Sequence, residues 1–195
     1  MKKFFAVIAF VLVTGMGFAG EYINQLWSVG TSALFYGDPA IDELHETLKT
    51  DSYVNLVISG EYGARIQLDR KIDFVGMGYL TLDSYVKGTS SILHLDYGVS
   101  GGVRLTPGLG GLILGCEYCT GQRADCNFLD NKTVDEEDGH WSATQWGNGY
   151  RFLFEYDFSA LITGIAPTLG ISFRSVPRGN NFTDRNLSFY IRLKK

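Results

Sequence analysis

Apolar and polar side chains alternate through eight segments of this chain, and the two faces so produced differ in charge as sharply as in hydropathy. A period of two places alternate residues on opposite faces of a β-strand. The segments run from Leu26 to Tyr36, Ser52 to Leu68, Ile72 to Leu82, Ile92 to Leu105, Leu109 to Tyr118, Trp146 to Phe158, Ile162 to Val176 and Asn186 to Lys194. In the second, Val54, Leu56, Ile58, Tyr62, Ile66 and Leu68 share one face, while Ser59, Glu61 and Arg65 share the other. The apolar faces carry no charged residue. The opposite faces carry Glu61, Asp73, Asp96, Glu117 and Glu155 beside Arg65, Arg104, Arg151, Arg174 and Arg192, five acids against five arginines.

Alternation alone suits a soluble, lipocalin-like barrel as well as one with its apolar face outward. The composition of the polar face separates them. A surface facing water needs no balance of charge and is usually rich in lysine, whereas here lysine is confined to ends and connections. Arginine pairs bidentately with a carboxylate and keeps its proton, which suits a closed interior. The ten charged residues are therefore expected to form a network inside a barrel whose apolar wall meets lipid.

The connections alternate in length. Those at 37–51, 83–91, 119–145 and 177–185 are long or moderate, and those at 69–71, 106–108 and 159–161 are short. Short turns on one rim and longer loops on the other predict an all-β, closed, eight-stranded antiparallel transmembrane barrel, with short periplasmic turns and longer extracellular loops. Weak helical spacing from Asp38 to Thr50 predicts one short helix in the first loop. Aromatics such as Trp27, Tyr36, Tyr118 and Trp146 fall near strand ends, as the girdles of such a barrel do.

The ends of the chain agree. Lys2 and Lys3 precede an apolar run, Phe4 to Val13, that is too short to cross a bilayer, and Gly17-Phe18-Ala19 offers small residues for cleavage. Residues 1–19 are expected to be a signal peptide and 20–195 the barrel domain. In architecture the chain resembles the small OmpA-like and OmpX-like outer-membrane barrels of Gram-negative bacteria. The final strand, with Leu187, Phe189, Ile191 and Leu193, has the alternation of their assembly signal. It departs from them by ending in Lys194-Lys195 rather than an aromatic, which suits a divergent, spirochaete-type member. The resemblance implies an outer-membrane location and outer-membrane lipid as the surrounding partner.

Three constellations invite a chemical reading. Cys116-Glu117-Tyr118-Cys119 lacks the helix and βαβ setting of a redox motif, and His140 is the only histidine near enough to complete a zinc site. A structural disulfide closing the third loop, Cys119 to Cys126, is expected instead. The run Asp135-Glu136-Glu137-Asp138 lacks the ligand spacing of a calcium loop and reads as solvated. His94 and Asp96 share a face near Ser91 and Ser100, yet His94 fits the interior network better than a hydrolytic triad. The expectation is a monomeric, non-enzymatic barrel without cofactor or metal, either structural or porin-like with a narrow pore. The alternative is a surface protein binding an extracellular ligand through 37–51 and 119–145. A net charge of −4 argues against a nucleic-acid partner.

Overall fold

The computed structural model describes residues 23–46, 53–128, 141–161, 167–179 and 182–194; the expected leader lies outside them. Among the described residues nine strands are present: β1 (Ile23–Phe35), β2 (Val54–Asp69), β3 (Ile72–Lys87), β4 (Ser90–Leu105), β5 (Leu112–Phe128), β6 (Trp141–Ala143), β7 (Gly147–Asp157), β8 (Pro167–Pro177) and β9 (Thr183–Lys194). One helix, α1 (Pro39–Glu46), lies between β1 and β2. Each strand pairs antiparallel with its neighbour in sequence, and β1 pairs with β9, so the sheet closes on itself. Both β6 and β7 pair with β5, through Ala124↔Ala143 and Gly121↔Gly147. They form one stave interrupted by a bulge at residues 144–146, so nine strands make eight staves. Closure removes most of the free edge an open sheet would have, while the outer side of the short β6 stays free.

The alternation sets the faces as expected. Along β7 the pattern is strictly buried and exposed by turns, with Arg151, Leu153, Glu155 and Asp157 inside and Tyr150, Phe152 and Phe154 outside. Val29, Leu56, Phe74, Leu114, Ile171 and Phe189 continue the apolar outer wall around the other staves. At the rim where β1 begins and β9 ends, Leu26, Val75 and Met77 make a small apolar cluster inside the barrel.

At the turn rim β1 begins at Ile23 rather than Leu26, β5 at Leu112 rather than Leu109 and β8 at Pro167 rather than Ile162; the larger differences lie at the opposite rim. The expected loop 83–91 is instead strand: Lys87 pairs with Ser90 across a two-residue turn, and Gly88 takes φ +59° there, as tight hairpins require. The expected loop 119–145 contributes its first ten residues to β5 and Trp141–Ala143 to β6. The connection 177–185 shrinks because β9 begins at Thr183, with Arg178 N–H donating to the Phe182 carbonyl at 2.8 Å. Staves β2 to β5 thus reach 16 or 17 residues, against 11 or 12 in β7 to β9. About 9–11 residues cross a bilayer, so the tall side stands clear of the apolar belt. On β5 the outer face there carries Thr120, Gln122 and Ala124 rather than large apolar side chains, and the alternating signal fades.

The expected helix forms over Pro39–Glu46. Asp38 caps it, its carboxylate accepting from the Ala40 N–H at 3.0 Å, and Pro39 occupies the first helical position. Ile41 and His45 turn inward and are buried, which lays the helix against the mouth of the barrel.

Glycine serves the walls unequally. A Cβ at Gly102 would sit 2.5 Å from the Glu117 Cα of the adjacent stave, whereas at Gly76 it would meet nothing within 4 Å. Gly102→Ala should therefore lower the urea stability of the micelle-refolded protein by about 1–3 kcal/mol, while Gly76→Ala should leave the midpoint in place.

Candidate functional site

The lumen is filled by two tiers of charge. The lower tier joins Glu61, Arg104, Glu117, Arg151, Glu155 and Arg192. Arg151 reaches across the barrel from β7 to Glu61 on β2 at 2.6 Å and also contacts Glu117 at 3.2 Å. Arg104 donates through Nε and Nη2 to Glu117 Oε1, at 3.2 and 2.8 Å, and lies 3.5 Å from Glu155. Arg192 pairs with Glu155 and sits 3.6 Å from Glu61. Hydroxyls complete the carboxylates: Ser28 donates to Glu61, Ser100 to Glu117 at 2.7 Å, and Tyr190 to Glu155 at 2.6 Å. Three acids meet three arginines, which leaves this tier neutral. Nearer the turn rim Arg65 and Asp73 form a looser pair at 3.5 Å.

The upper tier lies toward the loop rim. Asp96 pairs with Arg174 and, at 2.6 Å, with Arg178. Arg178 contacts Asp184 at 3.2 Å, and Arg123 contacts Asp184 at 2.6 Å and Asp125 at 2.8 Å. Burial works against the Arg178 charge, but Asp96 and Asp184 outweigh it and hold its pKa above the ordinary value. Arg174 stacks over the Tyr79 ring at 3.8 Å from its centroid. Between the tiers a void of about 10 Å³ remains, bounded by Ser59, Glu61, Tyr79, Arg151 and Arg174 among others. That is room for one water at most. A wider cavity of about 240 Å³ opens at the turn rim beside Arg65, Arg70, Asp73 and Asp157.

A cluster of rings closes the loop rim. His94, on β4, shares its Nδ1 with Asp125 at 2.7 Å and its Nε2 with His45 of α1 at 2.9 Å. Tyr36 donates to Asp83 at 2.6 Å, and Asn55 donates to the same carboxylate at 2.8 Å. Burial first, and then Asp83, push the Tyr36 phenol well above its ordinary pKa, so it remains a donor. Asp38 lies 3.6 Å from Arg123, which ties the start of α1 to the upper tier.

All ten charged residues expected in the lumen lie on its face, and each has a partner of opposite charge. Arg123, Asp125, Arg178 and Asp184 were missed because they fell in segments read as loops. The odd-numbered spacing of Glu117, Cys119, Arg123 and Asp125 was the available signal, since the β4–β5 register runs without a shift through all four. His94 pairs with Asp125, its register partner across the β4–β5 ladder, and not with Asp96 on its own strand. Ser100, a candidate nucleophile beside it, donates instead to Glu117.

The expected Cys119–Cys126 disulfide is absent: all three cysteines are free thiols. Cys119 and Cys126 occupy one extended strand, and seven residues at about 3.3 Å each hold them far beyond the 4.4–6.8 Å a disulfide spans between Cα atoms. Among the described residues no group of three or more His, Cys, Asp or Glu could hold a metal ion. His140 and the acidic run 135–138 lie outside the described residues.

No family model and no curated protein matches the sequence. Solved structures do match the fold. Ail, the attachment invasion locus protein of Yersinia pestis, aligns at TM-score 0.55 and 6% identity, over 89% of this chain and 97% of Ail. Its complex with the heparin analogue sucrose octasulfate aligns at 0.54 and 7%, with the same coverage. Neisserial surface protein A aligns at 0.47 and 11%, again over 89% and 97%. The chain has the fold of a small eight-stranded outer-membrane β-barrel.

The lower tier sets a sharp energetic contrast. Glu117→Ala leaves three buried arginines facing two carboxylates, with Arg104 reduced to its 3.5 Å contact with Glu155, and should cost about 3–5 kcal/mol. Arg65→Ala breaks a looser, partly solvated pair and should cost less than about 1 kcal/mol. Urea unfolding in micelles measures both.

Proposed function

We propose that this protein is a non-enzymatic outer-membrane barrel, closed to solutes, that works at the cell surface through its loop rim. The observation that carries the reading is the filled lumen. Two tiers of paired side chains leave a void of about 10 Å³ between them, and opening a path would separate ion pairs that have lost their water. The narrow pore expected as one option is therefore disfavoured, and a structural or ligand-presenting role is favoured. On this reading the turn rim faces the periplasm, the loop rim faces outward, and residues 1–19 are a leader removed on export.

The loop rim has the chemistry to select a partner. Segment 37–51 holds five carboxylates to one lysine, and segment 119–145 holds six carboxylates to two basic residues. Asp42, Glu43 and Glu46 of α1 are exposed or half-exposed at this rim. Ail was solved with a polysulfated ligand; the sign of charge here favours a basic partner instead.

Planar bilayers test the closed lumen. Wild-type protein should give no discrete conductance steps, and steady ion-conducting steps from purified protein would overturn the reading. Surface plasmon resonance tests the rim. Immobilised protein should bind a polylysine probe in a salt-sensitive way and ignore sucrose octasulfate, and replacing 130–139 with a Gly-Ser linker should weaken the polylysine signal.

A further inference from the structure

We infer that the top of β2 is a docking edge, to which an extended basic segment of another protein adds as one more antiparallel strand. This edge belongs to the loop rim, and its role rests on the reading of that rim as the site of a basic partner.

The register shows where the wall stops being continuous. β1 and β2 pair from Ile23↔Ile66 up to Gly30↔Ser59, where their ladder ends. Above that point β1 pairs with β9, as far as Phe35↔Arg185. β2 runs on beside β3, as far as Val54↔Val86. A seam therefore separates residues 31–35 of β1 from residues 54–58 of β2.

The polar groups along the β2 side of the seam follow from the pleat. In an antiparallel strand the N–H and C=O of one residue point to the same neighbour, and those of the next residue to the other. The Val57 carbonyl points into the seam, since it accepts from the Thr31 hydroxyl at 2.9 Å. Alternation turns Asn55 the same way and gives Leu56 and Ile58 to the β3 ladder. Among the described residues the Asn55 N–H and C=O and the Val57 N–H meet no backbone partner. At the Val57 C=O the Thr31 side chain stands in for one. Such an edge is what strand addition uses.

The side chains fit a peptide strand better than a lipid chain. Val54 and Leu56 are 68% and 54% exposed on the outer face, with Val86 exposed beside Val54. They stand at the tall side, where alternate apolar residues of an added strand would pack on them. An acyl chain would cover them too, but would leave the seam-facing N–H and C=O groups without partners. The intervening residues of the added strand would face the mouth. At this rim α1, which follows directly on the end of β1, exposes Asp42, Glu43 and Glu46. Those carboxylates favour lysine or arginine at the intervening positions. The partner is therefore an extended segment in which apolar and basic residues alternate.

Amide exchange of the isotope-labelled full chain in lipid nanodiscs, read by NMR, tests this with a peptide of alternating lysine and valine as the probe. In the free protein Asn55 and Val57 should exchange rapidly beside protected Leu56 and Ile58. Saturating peptide should slow Asn55 and Val57 at least about tenfold. Opposite these two residues the lysines carry the bonding amides, so N-methylation of the lysine amides, which keeps the charge, should abolish the slowing. Val57→Pro, which removes a seam-facing N–H and spares the β3 ladder, should weaken peptide binding about tenfold; heat-modifiable migration shows that its barrel is folded. Asn55 and Val57 amides already protected in the free protein, whether by this chain, a second copy or lipid, overturn the inference. Equal slowing by the methylated peptide also overturns it and leaves the acidic rim able to bind polylysine. Loss of polylysine binding itself sinks the reading of the rim, and the docking edge with it.

Discussion

Arginine and carboxylate pairs reaching across the lumen are the interaction on which the rest of this structure depends. An eight-stave barrel is too narrow to hold a channel of water and must be packed with side chains. Here the packing is ionic. Glu61, Glu117 and Glu155 are each shared by two arginines, and Arg151 joins staves on opposite sides of the wall. Such a network is costly to assemble and costlier to leave incomplete. It also fixes register, because a slip of one residue on any stave would carry its charge to the apolar wall and bring an apolar residue inside.

The upper tier extends the same logic to the mouth. Arg123, Arg174 and Arg178 are matched by Asp96, Asp125 and Asp184, and buried Asp83 near them is held by the neutral donors Tyr36 and Asn55. There the chemistry changes from permanent charge to titratable rings, with His94 and His45 in contact and Tyr36 and Tyr85 around them.

Much of this was legible in the sequence, for a physical reason. Where a strand divides an apolar surround from a charged lumen, every second residue is constrained on both faces, and Val54 to Leu68 or Gly147 to Asp157 read clearly. At the top of β5 only the inner face keeps the pattern, because Thr120, Gln122 and Ala124 stand on the outer one. The stretch from Thr120 to Phe128 therefore looks like a loop, though Arg123 and Asp125 keep the inward parity of Glu117. The partner of His94 lay beyond sequence altogether, because Asp96 and Asp125 are equally plausible until the β4–β5 register places Asp125 opposite it. The disulfide failed once the supposed loop became strand, which stretched Cys119 and Cys126 apart.

The central claim is a closed barrel with an apolar wall in a membrane and an ion-paired interior. Heat-modifiable migration of the protein, extracted by mild detergent from outer-membrane fractions, tests it most directly. The account predicts that unboiled protein runs as a compact band and shifts to a second position on boiling. Recovery in the soluble fraction, or one unchanged position with and without boiling, would contradict it.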